Sequence, residues 1–451
     1  MSFAKARRRG ITEMTVAAGI RPAQRYASSR NDRGPFMTSL FSQLPKAWSL
    51  APLAVSLLAL TSASRLAAQE APDSPAELAR RVIAAAGGIK AGEIVLLDGG
   101  RHTIPYMEAV AVEVIRAGSV PAMYVRTGPI IRAYFFELPA PRMRAADSAD
   151  AVLYTNELRY TNLFINFPQS EDPEAFRKEL SSDSARQSAL DAVHELTRAR
   201  IDSVRNLSQA RFVFVNYPPV RAALLRSGMD SGTFSQMQWS AVTADQIPME
   251  GAGRRIAQLL ERGRVMRITT PDGTDLRLPL GNRTVTVNTG VIRPDHAQAR
   301  LAALRTVTLP GGQLIVAPVE TSGSGRVMVR RARCDGQPLV NARFELRAGR
   351  VANFRADSGG ACVTDYLARN ASPADRLGYV MIGLNPALQA VESGSGYYPG
   401  LASGLVHVGF GYNADLGGAN STPVEKGFPL LRATVTIDGT VVVRDGRLGE
   451  P

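Results

Sequence analysis

Two hydrophobic periods divide the chain. From Ser74 onward, apolar runs of strand length alternate with stretches whose apolar positions recur every three or four residues. "SPAELARRVIAAAGG" predicts a helix with Ser74 as its N-cap and glycines past its end. "EIVLLDGG" (Glu93–Gly100) predicts a buried strand, "IPYMEAVAVEVIRAG" a helix and "VPAMYVR" another strand. "TNLFINFP" and "RFVFVNYP" read as two further buried strands, with the long amphipathic stretch Asp172–Gln209 between them. Strands alternating with helices predict a mostly parallel sheet. Past residue 264 the texture changes. "VMRITTPDGTDLRLPL", "RTVTVNTGVI", "GQLIVAPVE", "GRVMVRRARCDG", "ARFELRAGRVANFRAD" and "ATVTIDGTVVVRDGRL" are short strands split by Gly, Asp and Asn turns. The expected fold class is α/β: an N-terminal, mostly parallel α/β domain over 70–264, followed by a β-rich α+β domain over 265–451.

Charge alters this picture little. The formal net charge is +13, which raises the question of a nucleic-acid partner. Residues 1–69 hold ten Lys or Arg and two acids, so +8 of that charge lies in the leader. The remaining +5 is spread without runs, and neither nucleic acid nor a membrane surface is an expected partner of the body. The leader has its own pattern. Lys46 precedes "SLAPLAVSLLALTSA" (Ser49–Ala63), an apolar core short for a membrane span, and "RLAAQEAPDSP" follows with small residues and a polar linker. Residues 1–69 are expected to be an N-terminal extension and signal peptide, with Met37 an alternative start and an uncleaved anchor as the alternative. The mature body is then exported, periplasmic or secreted. Cys334 and Cys362 both follow the leader and can either pair or stay separate thiols; spacing alone leaves both open.

Most catalytic signatures are missing. The sequence has no G-x-S-x-G, P-loop or H-E-x-x-H, and "GAGRRI" at Gly251 lacks the preceding strand and third glycine of a dinucleotide fingerprint. The four histidines are His102, His194, His296 and His407. His194 falls on a helix face and His296 in a polar loop. His102 follows the strand at 93–100, where the crevices of parallel sheets lie. His407 sits in the middle of the apolar run "LVHVGFG", an odd place for an imidazole in pure packing. Glu320 ends "LPGGQLIVAPVE", and Glu425 follows the "DLGGAN" turn after His407. One imidazole and two carboxylates form a candidate metal set.

The order of "PDGTDL" (271–276), "LPGGQLIVAPVE" (309–320), "GRVANFRAD" (349–357), "LGYVMIGLNPAL" (377–388), "GLVHVGFG" (404–411), "GGANS" (417–421) and "TIDGTVVVRDG" (436–446) resembles the thermophilic metallo-aminopeptidase family, of the aminopeptidase T and aminopeptidase S type. The resemblance covers about Ala76 to Leu448. It implies a two-domain, often dimeric exopeptidase with a two-metal site in the C-terminal domain. Carried over residue by residue, the family's first glutamate falls on Glu320 and its strand histidine on His407. Its second glutamate falls on Tyr379. Its tyrosine falls on Ala414, with Tyr412 two residues earlier. Its closing H-x-D falls on Glu425 and Gly427.

Without carboxylates at 379 and 427 the ligands that remain are too few for two bridged ions. The expectation is one divalent metal, with Zn first and Mn, Co or Fe as alternatives, held by Glu320, His407 and Glu425. Tyr379 and Tyr412 are the candidate catalytic donors to a developing oxyanion. The expected activity is release of N-terminal residues from a peptide substrate. A catalytically degenerate binder of peptides or small molecules is the alternative, and an iron-dependent ring-opening dioxygenase of similar fold is third.

Overall fold

The computed structural model describes residues 74–449 except 173–178, 180–182, 184–185, 187–203, 335–336, 371, 391–401 and 423–424. The leader and most of the amphipathic stretch 172–209 lie outside the described residues, as does the signal-peptide expectation. By contacts the chain divides into Met1–Arg65 and Leu66–Pro451, and the described fold belongs to the second unit. None of its described helices is long and apolar enough to cross a membrane.

The first four strands form as the sequence predicts. Ser74 Oγ accepts the Glu77 amide at 3.3 Å and starts the helix Pro75–Ala85. Strands β1 (Ile94–Gly100), β2 (Val120–Arg126), β3 (Leu163–Asn166) and β4 (Arg211–Val215) run parallel. β2 is the exposed edge and carries Pro121 there, where no central ladder is broken. The helix Ile104–Arg116 packs Met107, Val110 and Val114 on one face of the sheet, against Val95, Leu97 and Ile165. Leu158, from the helix Ala140–Tyr160, joins Leu96, Phe164 and Phe212 on the other.

The C-terminal part holds β5 (Val265–Thr269), β6 (Asp275–Pro279), β7 (Val285–Asn288), β8 (Thr306–Leu309), β9 (Gln313–Val316), β10 (Ser324–Cys334), β11 (Gln337–Arg347) and β12 (Arg350–Arg355). The helix Ala361–Arg369 follows. Then come β13 (Leu377–Gly383), β14 (Val406–Gly411), β15 (Glu425–Leu430), β16 (Thr434–Ile437), β17 (Thr440–Arg444) and β18 (Arg447–Leu448). β8 does not stay with its neighbours. It adds parallel to β4 and completes a first sheet of order β2-β1-β3-β4-β8, across the boundary expected at 264/265. The remaining strands form two antiparallel sheets, β12-β11-β10-β6-β5-β16-β17-β18 and β15-β14-β13-β9-β7. One core lies between these two sheets and takes Met249, Ile256 and Leu260 from the helix Gln246–Arg262, which contains the "GAGRRI" segment. Cys334 and Cys362 are bonded, tying β10 to the helix Ala361–Arg369. The fold is thus α/β with a parallel sheet first and antiparallel sheets after it, as the patterning predicts.

Candidate functional site

β14 is buried along its whole length, and alternation splits its residues between two faces. Val406, Val408 and Phe410 enter the core between the antiparallel sheets, so His407, Gly409 and Gly411 face the other way. His407 stands opposite Met381 and Pro429, Gly409 opposite Tyr379 and Gly427, and Gly411 opposite Glu425. The His407 Nε2 is buried without a hydrogen-bond partner. Burial alone pushes this imidazole down to about 3, so it is neutral at physiological pH.

Tyr379 lies over the middle of this face. A Cβ built on Gly409 would come within 2.4 Å of the tyrosine ring, and one on Gly427 within 2.5 Å of the phenol oxygen. The two glycines therefore leave the space that the ring fills. Burial first, and the Glu425 charge second, raise the Tyr379 phenol well above its usual range. Tyr412 lies part-buried just after β14.

Glu320 is held elsewhere on this sheet by its own partners. It follows β9 and is 4% exposed. Its Oε2 accepts from Arg283 Nη2 at 2.7 Å. Its Oε1 accepts from Asn413 Nδ2 at 3.1 Å and from the Ala419 amide at 2.6 Å. Asn413 also donates to the Gly378 carbonyl and accepts the Asn420 amide, each at 2.9 Å. Asn420 Nδ2 in turn donates to the Leu377 and Gly411 carbonyls. Arg283 reaches the Gly417 carbonyl as well. The carboxylate thus organises the "GYNADLGGAN" turn and stitches it to β13.

These positions decide whether the residues fit a metal. Ligand atoms must converge to about 2 Å from one ion. Glu425 is exposed at the start of β15, and its register partner Gly411 is four residues along β14 from His407. That is roughly 13 Å along the strand. Glu320 spends its oxygens on Arg283, Asn413 and Ala419. Among the described residues, no group of three or more His, Cys, Asp or Glu is placed to hold a metal ion. The set Glu320, His407 and Glu425 is not brought together, and the side chains as arranged do not fit the ion the resemblance implies. Arg283, Asn413 and Asn420 were not singled out from the sequence. The usable signal was the pairing of a non-carboxylate at 379 with glycine at 427.

The likeness to known proteins bears on the same region. Residues 245–450 match the model of the family NicX: 2,5-dihydroxypyridine 5,6-dioxygenase. No curated protein matches the sequence. Among solved structures the chain is similar to wild-type AmpT from Thermus thermophilus, with 17% identity, a TM-score of 0.63, and 83% of this chain and 98% of that one covered. It is also similar to the 2,5-dihydroxypyridine dioxygenase of Pseudomonas putida KT2440, with 15% identity, a TM-score of 0.52, and coverage of 84% and 99%. The class is therefore the fold shared by AmpT and this dioxygenase. At these identities the likeness is one of fold, and the resemblance to aminopeptidase T holds at that level.

Proposed function

We propose that this chain is a non-hydrolytic relative of AmpT that binds a peptide or small organic molecule on the face of β13, β14 and β15. One observation carries the reading: the Tyr379 ring lies across Gly409 and Gly427, at two of the positions onto which family ligands map. A phenol and a part-exposed apolar rim of Ile315 and Met381 then line the face, with the neutral His407 beneath. Such a surface offers stacking and a hydrogen bond, not a polarised water. Export belongs to the same reading. The charged, apolar and small-residue order of residues 37–69 supports it, and the Cys334–Cys362 bond is at home in an oxidising compartment.

The second reading is a metalloenzyme, either an aminopeptidase or a ring-opening dioxygenase. The likeness to AmpT favours the first and the family match over 245–450 the second. In either, Glu320 would first have to leave Arg283. One experiment separates the readings. Mature protein is incubated with Zn, Mn, Co or Fe(II), desalted and analysed for metal. It is then assayed on aminoacyl reporter substrates and on 2,5-dihydroxypyridine with oxygen. The binding reading expects sub-stoichiometric metal and no turnover. About one metal per chain, with turnover lost in His407→Ala, would replace it by the enzymatic one.

A further inference from the structure

A cleft about 350 Å³ in volume lies far from β14 in sequence, at the C-terminal ends of β1, β2 and β3. Its place follows from topology. β2 pairs on one side of β1 and β3 on the other, so the chain reverses its direction of growth at β1. The helices before and after β2 consequently cover opposite faces, and a crevice opens beyond the strand ends. Close packing shapes its floor. A Cβ on Gly100 would lie 2.5 Å from the Gln169 carbonyl, so glycine there lets the loop after β3 come against the end of β1.

Several of the polar groups lining the cleft are already engaged. Arg126 Nε and Gln169 Nε2 donate at 3.3 and 3.1 Å to Asp98, which is 5% exposed behind the lining on β1, and this fixes both at the rim. Arg132 donates to both Glu179 oxygens at 2.7 Å. Three further groups carry no such bond. His102 has its Nε2 buried without a partner. Arg101 makes no hydrogen bond or ion pair among the described residues, and neither does the Glu171 carboxylate. Burial holds the His102 imidazole below its usual range against the opposing pull of Glu171, so a neutral ring faces the cleft.

The geometry points to a binding site for a small zwitterion, a free α-amino acid or a dipeptide, in this crevice. One unpaired guanidinium suits a carboxylate. One unpaired carboxylate suits an ammonium group. The neutral imidazole adds one hydrogen bond to either. Three guanidinium groups and three carboxylates line the cleft, and this balance disfavours a polyanion such as a nucleotide. The volume is at the small end of ligand pockets, which suits one or two residues.

The test uses mature protein and a panel of the free amino acids and glycyl dipeptides, screened by thermal shift, with the best binder titrated by calorimetry. Its N-acetyl and amide derivatives, each lacking one charge, are titrated beside it. We expect the zwitterion to bind, and either derivative to bind at least about tenfold more weakly. Arg101→Ala and Glu171→Gln should each weaken it by about tenfold or more, with the melting temperature of the free protein unchanged because both side chains are exposed. Three outcomes would overturn the proposal: no member of the panel binds; the N-acetyl derivative binds as well as the parent; or affinity survives Arg101→Ala and is lost in Tyr379→Ala. The last would assign the ligand to the β14 face. Loss in Arg101→Ala with Tyr379→Ala unaffected supports this crevice whatever the fate of the first reading.

Discussion

At the scale of single residues, the most informative pair is Tyr379 with its two glycines. The aminopeptidase resemblance would place a carboxylate at 379 and another at 427, and this chain has a ring at one position and the space for that ring at the other. Each change alone looks like the loss of a ligand; together they are a packing unit. Gly409→Ala should therefore destabilise the protein by about 1–3 kcal/mol, the usual cost of overfilling a packed site. In the Tyr379→Ala background the same substitution should cost little, giving a coupling energy in a double-mutant cycle by urea unfolding. Equal costs in both backgrounds would show that the ring is not what Gly409 accommodates. His407 was legible in the sequence as an imidazole out of place, but not in its surroundings. One strand discloses neither the four-residue offset to Glu425 nor the partner of Glu320, because Arg283 lies in another turn.

At the scale of elements, the loop 412–420 depends on a buried carboxylate. Removing Arg283 leaves Glu320 with only its Asn413 and Ala419 donors. Arg283→Ala should cost about 2 kcal/mol, less than a fully buried pair because Arg283 is part-exposed. Glu320→Gln, which keeps an acceptor, should cost less. Were Glu320 a metal ligand instead, Glu320→Gln would lower metal content and leave stability nearly unchanged.

A second loop has a pH signature. Asp438, between β16 and β17, accepts the Arg264 and Val265 amides at 2.9 and 3.0 Å, and these bonds hold its carboxyl below the usual range. A carboxylate depressed in the folded state stabilises above its unfolded value near 3.9 and loses that contribution as pH falls through the folded one. Asp438→Asn, which keeps an acceptor and suits the positive φ of 45° at this turn, should therefore be less stable than the parent at pH 7, with the gap narrowing below about pH 4 in denaturant titrations. A gap independent of pH would mean that the charge plays no part. The strands on either side of this turn were plain from their apolar alternation. The helices between residues 221 and 262 were not: Ser231–Val242 is weakly patterned, whereas Gln246–Arg262 carries an apolar stripe of Met249, Ile256 and Leu260 that the two glycines of "GAGRRI" obscure.

At the scale of the molecule, local pattern located most strands and the first two helices but not the assembly. The strands read from the sequence do not include β8 (Thr306–Leu309), and it closes the first sheet; only the competition among strand edges decides that. The β-rich region is joined instead by one core between two sheets and by a single covalent link. The sequence left the cysteines open because nothing in it placed the helix Ala361–Arg369 against the end of β10. With both in place, the bond closes a loop whose ends are 28 residues apart. Chain-entropy reasoning gives such a loop about 3 kcal/mol of stability. Cys334→Ser combined with Cys362→Ser should lower stability by about that amount, with similar ellipticity, because the core of the two antiparallel sheets persists without it. The two single variants should match the double, since either alone breaks the bond. A double variant as stable as the parent, or native protein that takes up two thiol labels before reduction, would show that the bond does not form in the mature molecule. The support it lends to export would then be withdrawn.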